Sequence, residues 1–111
     1  MPLITDFADF VSSATLPASI NRITEHAFDS ALDYNTLSTI SLQNVSYPGL
    51  STFVNSKYMM SVDANNALSL TDFMFYNAIK LSSVNANKAK YVGTNTFNGC
   101  SSLMSIDLSN V

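Results

Sequence analysis

Asp63, Asn85 and Asp107 stand 22 residues apart, a carboxylate, an amide and a carboxylate at one phase of a recurring pattern that begins with Ser41. Two further polar columns run beside them: Thr39, Ser61, Ser83 and Ser105 on one side, and Gln43, Asn65, Asn87 and Ser109 on the other. If these twelve residues share one surface, it is tiled with small hydroxyl, amide and carboxylate groups. Such a surface can bind a protein or a glycan through many weak hydrogen bonds, or it can be a solvated sheet face whose side chains bond across strands. A calcium ion between Asp63 and Asp107 is the weaker chemistry, because hard cations gather about six to eight converging oxygens.

Other reactive residues are few. His26 is the single histidine and follows Glu25; with no cysteine or second histidine nearby it is a poor metal ligand and a poor catalytic base. Cys100 is the single cysteine, which excludes an internal disulfide. It reads either as a small buried hydrophobe or as a reactive or intermolecular thiol. No Ser lies in a Gly-x-Ser-x-Gly elbow, and Gly49, Gly93 and Gly99 are too scattered to cradle a phosphate. These residues predict neither an enzyme nor a cofactor.

Composition narrows the partners. The 111 residues carry five Lys and Arg against eight Asp and Glu, a net charge of -3, so no basic stripe exists to neutralise a nucleic-acid backbone or an anionic lipid surface. Charged residues make up 12% and hydrophobic residues 47%, which describes a folded chain whose surface is polar without being strongly electrostatic. No apolar run reaches the roughly 20 residues of a membrane span. The first nine residues, Met1 to Asp9, lack the basic and apolar regions of a secretory signal.

What must position the polar columns is a repeat. The segments 37–42, 59–64, 81–86 and 103–108 carry apolar residues in phase, each followed three residues later by Val45, Ala67, Ala89 or Val111. Phe53, Phe75 and Phe97 precede the last three in register, and Phe28 joins them if the first unit holds three extra residues. Such phase over four copies predicts an array in which each unit buries its apolar face against its neighbours. Alternation at Ile40 and Leu42 is that of a half-buried strand. One short strand per unit, paired in parallel, must then return through the phenylalanine segments, 24–33, 50–57, 71–79 and 94–100, as single helical turns or irregular arcs with the phenylalanines stacked inside.

Ile4, Phe7, Phe10 and Val11 fall on one side of a helix, so residues 1–20 are expected to form an N-terminal helical cap, ending with a degenerate strand at Ala14, Thr15 and Leu16. Four units follow, at about 21–45, 46–67, 68–89 and 90–111. With the last apolar rung at Val111, the final unit is expected to leave Phe97, Leu103, Ile106, Leu108 and Val111 beside an open end. That end would be met by further units, a second copy of the chain or a different protein.

The last unit, from Val92 and Gly93 through Phe97, Gly99, Cys100 and Leu103 to Ile106 and Leu108, resembles a BspA-type leucine-rich repeat. The run from Leu16 and Pro17 to Ala27 and Phe28 is similar to that family's junction between units. The resemblance covers about residue 14 to the end, although the units at Phe53 and Phe75 lack the Gly-Cys pair. It implies an α/β leucine-rich-repeat solenoid used in binding, adhesin-like and often at the surface of bacteria or protozoan parasites. The alternative of another class is a structural component of an assembly such as a phage or other virion, docking through the open end. In units two and three the inner rungs shrink to Ala64, Ala67, Ala86 and Ala89, with Met59, Met60, Phe73 and Tyr76 as the expected fillers.

Overall fold

The computed structural model describes residues 13–28 and 38–111. Five three-residue strands, β1 (Ser13–Thr15), β2 (Thr39–Ser41), β3 (Ser61–Asp63), β5 (Ser83–Asn85) and β7 (Ser105–Asp107), form one parallel sheet in the order of the chain. The register carries the sequence phase directly: Ile40 lies beside Val62, Val62 beside Val84 and Val84 beside Ile106. β1 pairs Ala14 with Ile40, which makes the degenerate strand a full member of the sheet. The expected helical cap over residues 4–11 lies outside the described residues.

A second parallel ladder, absent from the sequence reading, joins β4 (Ser69–Leu70) to β6 (Tyr91–Val92), and an isolated bridge pairs Arg22 with Tyr47. Tyr47 and Tyr91 therefore sit on a second side of inter-coil pairing. Two-residue strands leave no alternation to read, so this side of each coil could not be seen in the pattern.

The return arcs contain no helix among the described residues. Their backbone hydrogen bonds show why. The Ser51, Phe53 and Asn55 N–H groups donate to Asp72, Met74 and Tyr76 carbonyls of the next coil at 3.0, 2.8 and 2.7 Å. Between them, Val54 and Ser56 donate locally to Ser51 and Phe53, three residues back. Alternate donors thus reach across coils, and an α-helix, which needs every N–H for the residue four back, cannot form. Left-handed residues keep the arc turning, two before the phenylalanine at His26, Ser51, Phe73 and Asn95, and two after it at Asn55, Asn77 and Gly99. Asn and Gly tolerate that region. At Gly99 the backbone has φ 85° and a Cβ would run into Asn77 Oδ1.

The core lies between these arcs and the main sheet. Phe28, Phe53, Phe75 and Phe97 stack with centroids 5.0, 5.6 and 5.5 Å apart, an offset aromatic ladder opposite the strands. Ile40, Val62 and Val84, with Leu42, Ala64 and Ala86, fill the facing side, all buried. Met59 and Met74 are buried in the same core cluster as the alanine rungs. Met60 and Phe73, expected fillers, are instead 50% and 37% exposed, and Tyr76 is only partly buried.

Candidate interaction face

β2, β3, β5 and β7 each bury their central residue more than its neighbours, the alternation required of a sheet with one buried face. Seven of the twelve polar residues, Ser61, Asp63, Ser83, Asn85, Asn87, Ser105 and Asp107, line one groove of about 570 Å³, with Val62, Val84 and Ile106 along its floor. Asp63, Asn85, Ser105 and Asp107 are exposed, and Ser61, Ser83 and Asn87 are partly buried. Thr39, Ser41, Gln43, Asn65 and Ser109 do not line the groove.

The carboxylates also shape the backbone. Asn65 N–H donates to Asp63 Oδ1 and Ser109 N–H to Asp107 Oδ1, each at 3.1 Å, and Gln43 N–H reaches Ser41 Oγ at 3.3 Å. A side-chain acceptor bonded two residues ahead closes the turn after each strand. Asn87 differs: its Oδ1 is enclosed and has no donor. Among the described residues no three of His, Cys, Asp or Glu gather where they could hold a metal ion.

Sequence reasoning passed over the column next to the third polar one. Asn44 Nδ2 donates to the Ala18 carbonyl at 2.9 Å, Asn66 Nδ2 to the Gln43 carbonyl at 2.8 Å, and Asn110 Nδ2 to the Asn87 carbonyl. Each asparagine ties its turn to the coil before it. Lys88 occupies the remaining rung and places its ammonium 2.9 Å from Asn66 Oδ1. The signal was the same 22-residue spacing, with Lys88 breaking the identity.

Cys100 is partly buried and its thiol donates to the Phe75 carbonyl at 3.1 Å. Burial pushes its pKa up, with a backbone hydrogen bond from Ala78 pulling against it. Ser56, at the same position of an earlier coil, donates to the Phe28 carbonyl at 3.2 Å. The cysteine is thus a small donor that ties arc to arc. His26 is exposed, with φ 60° and its N–H donated to the Leu50 carbonyl.

At the far end of the stack, Phe97, Leu103, Ile106 and Leu108 pack against the core but are only partly buried, and Val111 is 61% exposed. Along the second ladder a smaller hollow of about 260 Å³ lies among Leu50, Leu70, Asp72, Tyr91 and Val92. Tyr91 is 71% exposed, and Arg22 lies 4.6 Å over the Tyr47 ring.

A family model described as BspA type leucine-rich repeat region (6 copies) matches residues 31–111. The chain belongs to the BspA-type leucine-rich repeat family. No curated protein and no solved structure matches it. As a leucine-rich repeat it is of an interaction-module type, and its parallel strands are those of a repeat solenoid. No helix of the described residues is long and apolar enough to cross a membrane. In this BspA-type array the Gly-Cys pair of the last unit supplies a left-handed turn and an inter-coil donor, and Asn55-Ser56 does both jobs in an earlier unit. Asn77-Ala78 supplies the turn alone.

Proposed function

We propose that the chain is a non-enzymatic, adhesin-like module that holds a protein partner on its main strand face, with a cell-surface setting as in its family. The observation that carries this reading is the groove itself: six outward residues from three consecutive strands and Asn87 from the turn after β5, every one polar. A surface of small polar groups favours specificity from many modest hydrogen bonds over a single buried anchor. The test is selection of binders from a displayed peptide library on the immobilised chain, followed by Asn85→Trp. That substitution fills the middle of the groove without changing charge, and Asn85 is exposed. Loss of most selected binders, with the variant still folded by circular dichroism, supports the face. Binders indifferent to Asn85→Trp place recognition elsewhere, and binding on a glycan array that the tryptophan blocks would reassign the face to sugars.

A second reading, a structural component of a larger assembly such as a virion, turns on what covers the partly buried set of the last coil. Phe97, Leu103, Ile106 and Leu108 there offer apolar surface to whatever stacks on the coil, a further unit or another subunit. Light scattering coupled to size-exclusion chromatography tests it on the 111-residue chain. A defined oligomer dispersed by Ile106→Lys supports docking through this end; a monomer at all concentrations opposes it.

A further inference from the structure

We infer that the partner segment seated on the strand face is a cationic stretch of polypeptide, recognised through lysine or arginine side chains. This rests on the strand face being the binding surface, and it adds the chemistry of what binds there.

The argument is charge complementarity. The groove is lined by two carboxylates and by neutral hydroxyl and amide groups, with no lysine or arginine among them. The cations of the described residues are engaged or placed elsewhere: Arg22 lies over Tyr47 and Lys80 is 5.8 Å from the Tyr58 ring centroid, while Lys57 lies in an arc and Lys90 immediately before β6. Lys88 follows groove residue Asn87, but Asn66 Oδ1 holds its ammonium on the asparagine ladder. The face is therefore locally anionic although the whole chain carries only -3.

Its hydrogen-bonding balance points the same way. One oxygen of Asp63 and one of Asp107 accept from the turn that follows, and both carboxylates are exposed, so each keeps a second oxygen for a partner. A donor-only side chain is what such a surface lacks, and Lys and Arg are donors without acceptors. A charge-assisted bond to a carboxylate is also about twice as strong as a neutral one.

Spacing selects the probe. Asp63 and Asp107 are two rungs apart in the sheet, about 10 Å at 4.8 Å per strand. A polyproline II segment brings residues i and i+3 onto one side about 9.3 Å apart. Two lysines separated by two prolines can therefore reach both carboxylates while the backbone crosses Asn85.

The experiment is titration of the ¹⁵N-labelled chain with the peptide (Lys-Pro-Pro)4, following backbone amide shifts, with (Glu-Pro-Pro)4 as the opposite-charge control. Saturating shifts confined to residues 61–65, 83–87 and 105–109, weakened by salt, are expected from the lysine peptide alone. Asp63→Asn with Asp107→Asn keeps the Oδ1 acceptors of both turns and should weaken binding at least tenfold. Glu25→Gln with Asp72→Asn makes the same change in net charge off the face and should leave affinity within twofold. Absence of saturable binding, or equal loss in the two double variants, overturns the inference. The two readings fail separately: if Asn85→Trp blocks selected library binders but those binders are neutral or acidic, the face stands and the cationic partner falls.

Discussion

The strand face and the phenylalanine arc repeat with the same spacing on opposite sides of the coil, yet they use the repeat differently. The arc keeps one residue, phenylalanine, at all four rungs, and three of the four rings are wholly buried. The strand face keeps only polarity: its central outward column runs Ser41, Asp63, Asn85, Asp107. Buried aromatic stacking demands a shape, because interiors are close-packed and a missing ring leaves a void. An exposed column demands only that the turn behind it be closed, which serine and aspartate both do. Stability is thus concentrated on the arc, which leaves the strand face free to vary.

The largest break in that comparison is Phe75→Ala. Phe75 is fully buried between Phe53 and Phe97, and removal of a core phenylalanine costs about 3–5 kcal/mol. Urea denaturation should show this loss, whereas Phe97→Ala, in a partly buried rung, should show a clearly smaller one. Equal losses would mean that the stack does not gain from the coil on its far side.

Gly99→Val comes next. It forces a β-branched residue into φ 85° and drives its Cβ into Asn77 Oδ1, so a loss of roughly 2 kcal/mol is expected from the strained conformation and the clash. Gly99→Asn should cost less than the valine, since Asn77 and Asn55 already hold that conformation one and two coils earlier. Asn66→Ala tests the strand side of the coil. It removes the bonds to the Gln43 carbonyl and to Lys88, and about 1 kcal/mol should be lost. A change equal to that of Phe75→Ala would erase the distinction between the two sides.

Where a repeat position requires a particular side chain, the sequence shows it; where it requires only a backbone conformation, the sequence is nearly silent. The main strands, their parallel register and the phenylalanine stack were legible because Ile40, Val62, Val84 and Ile106 recur with Phe28, Phe53, Phe75 and Phe97. The outward columns were legible for the complementary reason. The arcs read as either single helical turns or irregular arcs because Ser, Thr and Asn near mixed apolar residues imitate helix caps; the described arcs are irregular, and those residues serve left-handed turns and cross-coil bonds. The second line of pairing keeps no one side chain at successive rungs, since Ser69 separates Tyr47 from Tyr91. The asparagine ladder was hidden by one exception, Lys88.

The smallest effect expected is at Cys100, and it sharpens the arc's side of the comparison. Its thiol is raised above the ordinary range by burial, so the folded chain binds that proton more tightly than the unfolded chain does. The contribution is fully present below the unfolded value, about 8.5, and is lost as pH rises through the folded one. Stability should therefore decline slightly in mildly alkaline buffer, and the decline should vanish in Cys100→Ser, which cannot ionise there. Serine already occupies this position as Ser56, bonded to the preceding coil's phenylalanine carbonyl, so the substitution should be nearly neutral at pH 7. Alkylation of the native thiol by iodoacetamide should be half-maximal at a higher pH than for the urea-unfolded chain. The opposite order would give Cys100 a stabilised thiolate, and the arc would then carry reactive chemistry that its packing does not require.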